Sequence, residues 1–377
     1  MNIRDAIYKD INVSDVEASI IDDPNFQRLR YIKHGGFRFL IYPTDNGTRF
    51  DHSVGTMHAT KDICKTIFGD YDEEIAVAGL LHDVGHTPFS HQGEDIAKKY
   101  LKKTHEDLGY NIIRKSSIAD KISESGLDLK KVLDFFEGKG YGKLIVGSMG
   151  SDRIDYLLRD SYYTGVALGI IDYNRLKHIL GYVNDKPVLF INGITNAESF
   201  FIARYFMYES VYFHHTSVIS ELMFIKSVGN AIDDGYINAE EFARMDDYEA
   251  IYKLKNYNGK NLVNRILDRK LFKRTFYKDV NGMDFTEKDL DELNGMIESK
   301  IGKDDYVSKL IKFKGGNDDL AIVNSKGEEL GKLSGYSSIF SNLINVMKSR
   351  EILLVASDPI NKEKINGIVE KYINSFN

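Results

Sequence analysis

Asp70-Tyr-Asp-Glu-Glu-Ile-Ala-Val-Ala-Gly-Leu-Leu-His-Asp-Val-Gly85 is the stretch on which the fold turns. Asp70 followed by Glu73 reads as a capping box, and Gly85 suits the left-handed position just past a helix end. Between them Ile75, Ala76, Val77, Ala78, Leu80 and Leu81 surround the segment with apolar side chains. The pattern predicts a core helix over 72–84 that ends in His82-Asp83. A buried carboxylate costs several kcal/mol unless it is paired or bound to a metal. Asp83 is therefore expected to meet either an arginine or a metal ion.

Working outward, seven of the ten histidines, at 34, 52, 58, 82, 86, 91 and 105, fall within residues 34–105. Such clustering points to metal ligation or acid–base work. Upstream, Thr48 is a plausible cap for a helix over 51–68, which sets His52 in its first turn. His58 lies six positions on, about 600° around the helix, and faces away as a structural residue. Downstream, Asp152, Asp155, Tyr156, Arg159 and Tyr163 recur at helical spacing as one polar stripe, with Ile154, Leu157 and Leu158 opposite. That stripe reads as a solvated face or as the wall of a ligand site.

The chain has 377 residues, 42% hydrophobic and 28% charged, enough for a sizeable core and against disorder. The longest apolar run, Ile75 to Leu81, is far short of the roughly 18 residues that cross a bilayer, so no membrane is expected as a partner. No secretory signal is visible at the N-terminus. Cys64 is the one cysteine, which excludes an intrachain disulfide and four-cysteine zinc sites; a reducing, cytoplasmic location is expected. A net charge of −6 does not favour nucleic acid as a partner.

Helical spacing also appears over 104–115, 152–163 and 197–229, and a short strand over Lys186 to Ile191. After about residue 279 the texture changes. Strands are expected over Asp319 to Asn324, Glu328 to Leu333 and Glu351 to Ala356, with a helix over 337–348 and another at the end. The predicted architecture is mainly α: a helical body over 1–278 with its metal site within 50–155, and a small α+β region over 279–377.

Four segments carry a resemblance to a known family. They are Asp23-Pro-Asn-Phe-Gln-Arg-Leu-Arg-Tyr-Ile-Lys33, Arg49-Phe-Asp-His-Ser53, Gly79-Leu-Leu-His-Asp-Val-Gly-His-Thr-Pro-Phe-Ser-His91 and Asp152-Arg-Ile-Asp-Tyr-Leu-Leu-Arg-Asp160. In this order they resemble the HD-domain phosphohydrolases, and within them the deoxynucleoside triphosphate triphosphohydrolase branch, over roughly residues 3 to 278. The resemblance implies an HD-domain helical core in which His52, His82, Asp83 and Asp152 hold one divalent metal. Mixed imidazole and carboxylate ligands suit Mn, Fe, Ni or Zn better than Mg, although further Mg can arrive with the nucleotide. It implies hydrolysis at the α-phosphorus, which releases a nucleoside and inorganic triphosphate. Arg49, Arg153 and Arg204 are then phosphate contacts. His91 and Glu94 are the acid–base pair, with His86 and His105 lining the same pocket. Tyr156, Asp160, Tyr212 and His34 contact the sugar. The resemblance further implies a homo-oligomer, dimer or tetramer, with regulatory nucleotide sites at Asp22, Gln27 and Arg30 and at Arg269 and Lys273.

The chain departs from the pattern in several places. His34 and Gly35 stand where the family has a Gln-Leu pair against the sugar, so weaker exclusion of a 2′-hydroxyl is expected, with His34 donating to the 3′-hydroxyl. Pro43-Thr-Asp replaces Pro-Gly-Ala, Gly47 replaces a histidine, and His215 replaces a regulatory lysine. Two other readings stand beside the triphosphohydrolase: a phosphodiesterase or nucleotidase on the same scaffold, and a nucleotide sensor without turnover.

Overall fold

The computed structural model describes residues 1–259, 261–313 and 319–376. The fold is mainly helical, with small sheets concentrated towards the C-terminus. Its centre is the Arg49–Phe68 helix. Thr48 starts it through a capping box: its hydroxyl accepts from Asp51 N, and the Asp51 carboxylate accepts from Thr48 N. Gly69, at φ 85°, ends it. Against it lie Glu73–Leu81 and Ser151–Thr164.

The Glu73–Leu81 helix is buried from Ile75 onward, as its all-round apolar character requires. Three details differ from expectation. The helix stops at Leu81 rather than 84, with His82 in the C-cap position. Asp72, not Asp70, occupies the cap position, while the Asp70 carboxylate accepts from Tyr71 N. Gly85 does not adopt the left-handed conformation. It is glycine because a Cβ there would meet His105 O at 2.1 Å and Gly109 N at 2.2 Å on the His105–Lys115 helix. The turn that carries His82, Asp83 and His86 can approach that helix only without a side chain at position 85.

The helix expected over 197–229 is two helices, Ile194–Met207 and His215–Asp233. A π-helical turn over Tyr208–Tyr212 separates them, and the His214 side chain caps the second. Apolar spacing alone runs through the break because the turn is itself aromatic. The extra residue per turn rotates the register and brings Tyr208 and Tyr212 to the cleft wall.

Among the described residues, three sheets complete the fold. β1 (Asn2–Asp5) and β2 (Lys9–Asn12) form an N-terminal hairpin with no counterpart among the sequence expectations. β3 (Leu180–Val183) pairs antiparallel with β4 (Lys186–Phe190), β4 runs parallel to β7 (Ala321–Val323), and β8 (Glu329–Lys332) closes that sheet. In the third sheet, central β9 (Glu351–Ser357) is flanked antiparallel by β5 (Lys273–Asp279) and β6 (Tyr306–Lys312). One face of it packs on the Glu287–Ile301 and Lys362–Ile373 helices through Leu293, Ile297, Leu353 and Val369. The other face sends Val307, Ile352 and Leu354 into a core shared with Met223 and Phe224 of the helical body. Ile322, Leu333 and Phe340 join the main core, where Phe340 meets Phe201 at 4.7 Å between ring centroids. Each such buried Leu, Ile or Phe contributes about 1.5–3 kcal/mol. Among the described residues, elements beyond residue 279 thus pack on the preceding helices through both of these cores. No helix among the described residues is long and apolar enough to cross a membrane.

Candidate active site

The C-terminal end of the Glu73–Leu81 helix delivers His82 and Asp83 to the first turns of two neighbouring helices, which supply His52 and Asp152. His52 Nδ1 lies 2.7 Å from Asp155 Oδ2, and His82 Nδ1 lies 2.9 Å from Gly79 O. Both partners accept, so in the neutral rings each Nδ1 carries the proton and each Nε2 is a bare lone pair. The two Nε2 atoms face each other at 3.2 Å. Two lone pairs at that distance repel unless a cation or a proton sits between them. Asp152 Oδ1 is 3.1 Å from His52 Nε2 and 3.8 Å from His82 Nε2. Asp83 offers Oδ1 at 3.4 Å from His82 Nε2 and Oδ2 at 3.6 Å from His52 Nε2. Ligands held about 2.1 Å from one ion make edges of this length with one another. His52, His82 and Asp83 form a group that can hold a metal ion, and Asp152 approaches it past both imidazoles.

The protein's own charges are consistent with a cation here. Burial opposes a charge on His52, but hydrogen bonds to Asp152 and Asp155 outweigh it and raise the ring to about 9, so the field at its Nε2 favours a positive charge, a proton or the metal that would replace it. Burial likewise opposes the charge on Asp83, yet Arg49, His82 and His86 hold its carboxyl well below the usual range. The two expectations for Asp83 coexist: Arg49 Nη1 donates to its Oδ2 at 2.5 Å while the carboxylate faces the imidazoles. Arg49 is aimed by Ser90, whose Oγ accepts from its Nε at 2.9 Å and donates to Lys33 O at 2.7 Å. Ser90 therefore steers the guanidinium and makes no side-chain cap for the His91–Leu101 helix.

A cleft of about 460 Å³ opens beside these groups. Along one side His86 and His105 stack at 4.2 Å between centroids, with His91 edge-on to His86 at 5.1 Å. The Glu94 carboxylate sits behind them, 3.0 Å from His91 Nδ1 and 3.1 Å from His105 Nδ1. His91 is held at the mouth with two-thirds of its side chain exposed (66%). Burial, Arg49 and His105 push His86 well below the usual imidazole range, so it is neutral.

The far end is built from paired charges. Asp160 accepts from Arg38 Nη1 and Nη2 at 3.0 and 2.9 Å and from Tyr212 Oη at 2.8 Å, with His34 Nδ1 at 3.2 Å. Arg38 Nε also lies 2.8 Å from Asp45 Oδ2. Burial and Arg49 lower His34 to about 3. With Nδ1–H turned to Asp160, its Nε2 can accept but not donate, which corrects the expectation of a donor to the 3′-hydroxyl. The space beside Gly35 is not open either. A Cβ there would meet Asp45 Oδ2 at 2.4 Å and Arg38 Nε at 2.5 Å. A charged side chain fills the gap that the sequence comparison left empty. Arg38 went unread because it sits inside the apolar run Phe37-Arg-Phe-Leu-Ile-Tyr42; a lone cation there was the available signal. Gly47 has a similar account, since a Cβ would press on the Tyr163 ring at 3.1 Å.

His34, Arg49, His82, Asp83, His86, His91, His105, Asp152, Arg153, Tyr156, Asp160 and Tyr212 all line the cleft. His52 and Glu94 stand directly behind it. Arg204 is buried, its guanidinium 5.8 Å from the Tyr208 ring and 5.4 Å from that of Phe313. Sequence reasoning missed Gln92, Tyr208 and Glu221, which also reach the wall. It likewise missed Asp247, whose carboxylate accepts from Lys33 N at 2.8 Å and Phe89 N at 2.6 Å and so fixes both loops around Ser90. The stripe on Ser151–Thr164 is no solvated face: Asp155 and Arg159 are buried, and Asp152 and Tyr156 line the cleft. His58 packs on Tyr8 at 4.7 Å, away from the cleft. The residues proposed for regulation lie apart from it. Arg30 Nε donates to Gln27 Oε1 and stacks over Phe50, with Asp22 near by in sequence. Arg269, at φ 57°, donates to Leu40 O, and Lys273 opens β5.

Imidazoles and carboxylates that could hold a metal ion thus converge at a helix end, beside a cleft where Arg38, Arg49 and Arg153 stand among acidic side chains. Comparison with known proteins gives the family. Residues 49–143 match the HD domain, and residues 171–310 match the HD-associated region. The uncharacterized protein MJ1154 of Methanocaldococcus jannaschii is 35% identical over 81% of this chain and 68% of its own length. A deoxynucleoside triphosphate triphosphohydrolase SAMHD1 homolog of Dictyostelium discoideum is 29% identical over 65% of this chain and 50% of its own. The crystal structure of a hypothetical protein from Aquifex aeolicus superposes with a TM-score of 0.81 at 29% identity, over 98% of this chain and 99% of that one. The chain belongs to the HD-domain phosphohydrolase superfamily.

Proposed function

We propose that the protein is a metal-dependent nucleoside triphosphate triphosphohydrolase, with His52, His82, Asp83 and Asp152 as metal ligands. The observation that carries this reading is the pair of Nε2 lone pairs facing each other at 3.2 Å between two carboxylates, next to a cleft lined by Arg49 and Arg153. A divalent metal bound there supplies Lewis-acid polarisation of a phosphoryl oxygen and acidifies a water. The remaining work falls to the chain. Arg49, oriented by Ser90 and Asp83, offers its remaining N–H groups to the α-phosphate, and Arg153 adds charge for the polyphosphate. Water attacks the α-phosphorus and the bond from phosphorus to the 5′ oxygen breaks. The leaving oxygen takes its proton from the imidazolium form of His91, and the proton released by the attacking water restores it through solvent. Burial lowers that ring, the Glu94 carboxylate at its Nδ1 opposes the fall, and the substrate's phosphate charges favour the charged form. The products are a nucleoside and inorganic triphosphate. Tyr156, Tyr212, His34 and the Arg38–Asp160 pair face the nucleoside. The similarity to a deoxynucleoside triphosphate triphosphohydrolase homolog supports deoxynucleotides as the substrate class. Asp22, Gln27 and Arg30, with Arg269 and Lys273, belong to the same reading as effector contacts in a homo-oligomer.

The test is a panel of ribo- and deoxynucleoside triphosphates incubated with Mn or Mg, with the products separated by ion exchange. Inorganic triphosphate supports the reading. Pyrophosphate or orthophosphate places the protein with phosphodiesterases or nucleotidases, and tight nucleotide binding without product makes it a sensor.

A further inference from the structure

Behind His52 an unbroken line of buried charges runs to the N-terminal hairpin. Asp155 Oδ2 meets His52 Nδ1 at 2.7 Å, and Arg159 grips the same carboxylate with Nε and Nη2, each at 2.9 Å. The third arm of that guanidinium, Nη1, donates to Asp5 Oδ2 at 3.0 Å. Asp155 is fully buried and Arg159 is 1% exposed. Asp5 ends β1, and its other oxygen accepts from Ile7 N at 2.8 Å and Tyr8 N at 2.9 Å, which forms the turn into β2. One carboxylate thus shapes the hairpin turn and anchors the line.

A second feature shows that the line is built into the fold. Gly55 lies one helical turn after His52, and a Cβ on it would meet Asp155 Oδ1 at 2.0 Å and Arg159 Nη2 at 2.3 Å. The central helix leaves a side chain's space for the bidentate pair. The hairpin is wedged in place by Tyr8, whose ring packs on His58 at 4.7 Å and Tyr173 at 5.4 Å. A partner behind a ligating imidazole fixes its tautomer and ring plane, and its loss weakens metal binding about 10–100-fold. Asp155 is that partner. A bidentate guanidinium leaves it one orientation, and the guanidinium is in turn held by Asp5.

We propose that Asp5, on the N-terminal hairpin, is a positioning residue for the metal ligand His52, acting through Arg159 and Asp155. This rests on the metal site assigned above and extends it to a part of the chain outside the matched HD domain. The seating of the hairpin sets how well the metal is held.

Asp5→Asn keeps an oxygen for the turn and removes the charge that faces Arg159. Metal affinity of the full-length protein, measured by competition with a chelating dye and Mn or Zn, is expected to fall about tenfold or more. The fall in kcat is expected to exceed any change in KM. Ile11→Val, in the buried centre of β2, loosens the hairpin without touching the line and serves as the control for a merely structural role. Arg159→Lys keeps the charge but loses the fork, and is expected to weaken metal binding as Asp5→Asn does; it stands in if the latter does not fold. In an Asp155→Asn background, Asp5→Asn should add little, because both act through one ring. Metal affinity within twofold of wild type in Asp5→Asn and Arg159→Lys, or an equal loss in Ile11→Val, overturns the proposal. Absence of metal binding by the wild type would instead overturn the metal site itself.

Discussion

The two ends of the cleft solve opposite problems. At the proposed metal end the donors converge: His52 Nε2 and His82 Nε2 stand 3.2 Å apart with the Asp83 and Asp152 carboxylates beside them. At the far end the charges are paired, with Asp160 engaged by Arg38 and Tyr212 and approached by His34. Donors that converge on one point favour a shared cation, whereas charges paired with one another hold a wall in shape. Damage at the first end should therefore appear in chemistry, and damage at the second mainly in folding and selectivity.

The sharpest break is expected from Asp83→Asn, which removes a charged ligand and the partner of Arg49. Turnover should fall by about 10³-fold or more, with loss of bound metal in elemental analysis. Wild-type metal content and turnover would leave Asp83 as an ion-pair partner only. Next comes Arg38→Leu, which strands Asp160 and Asp45 in a buried wall. Breaking a buried pair from one side costs about 3–5 kcal/mol, and thermal denaturation should register it. An unshifted melting curve would mean that water reaches that wall freely. His91→Ala should lower kcat by about 10²-fold and leave nucleotide affinity nearly unchanged, as loss of a general acid does. Collapse of binding with intact kcat would make His91 a binding residue.

Smaller effects sharpen the contrast. Gly35→Leu should destabilise by about 1–3 kcal/mol, because its Cβ overlaps Arg38 and Asp45. It should not raise discrimination between ribo- and deoxynucleotides; a folded, more selective variant would show that Arg38 yields. The last prediction concerns acid. Burial would raise Asp155, but Arg159 and His52 outweigh it and set the carboxyl at about 2, against 3.8 when unfolded. A depressed carboxyl adds stability that is present above the unfolded value and lost as pH falls from about 3.8 through 2, here ~2 kcal/mol. Asp155→Asn should flatten the stability profile in that window, and an unchanged slope would contradict the pairing.

Much of this was legible in sequence. Thr48, the all-round apolar Glu73–Leu81 segment and the His-Asp ending are local signals, and each appears where the pattern puts it. What escaped depends on contacts between distant segments. The Gly85 backbone is dictated by a helix 20 residues on, and Arg38 is tolerated in an apolar run only because Asp160 and Asp45 arrive from elsewhere. The break at Tyr208–Tyr212 hides in an aromatic stretch whose spacing suits one continuous helix. The N-terminal hairpin is too short and too polar for a strand pattern to stand out.

In the proposed reaction the metal end receives the α-phosphorus and the paired end the nucleoside. Hydrolysis of a deoxynucleoside triphosphate by the metal-loaded protein in ¹⁸O-labelled water tests it most directly, with both products examined by mass spectrometry. One ¹⁸O atom is expected in inorganic triphosphate and none in the nucleoside. Label in the nucleoside, or recovery of pyrophosphate or orthophosphate in place of triphosphate, would contradict it.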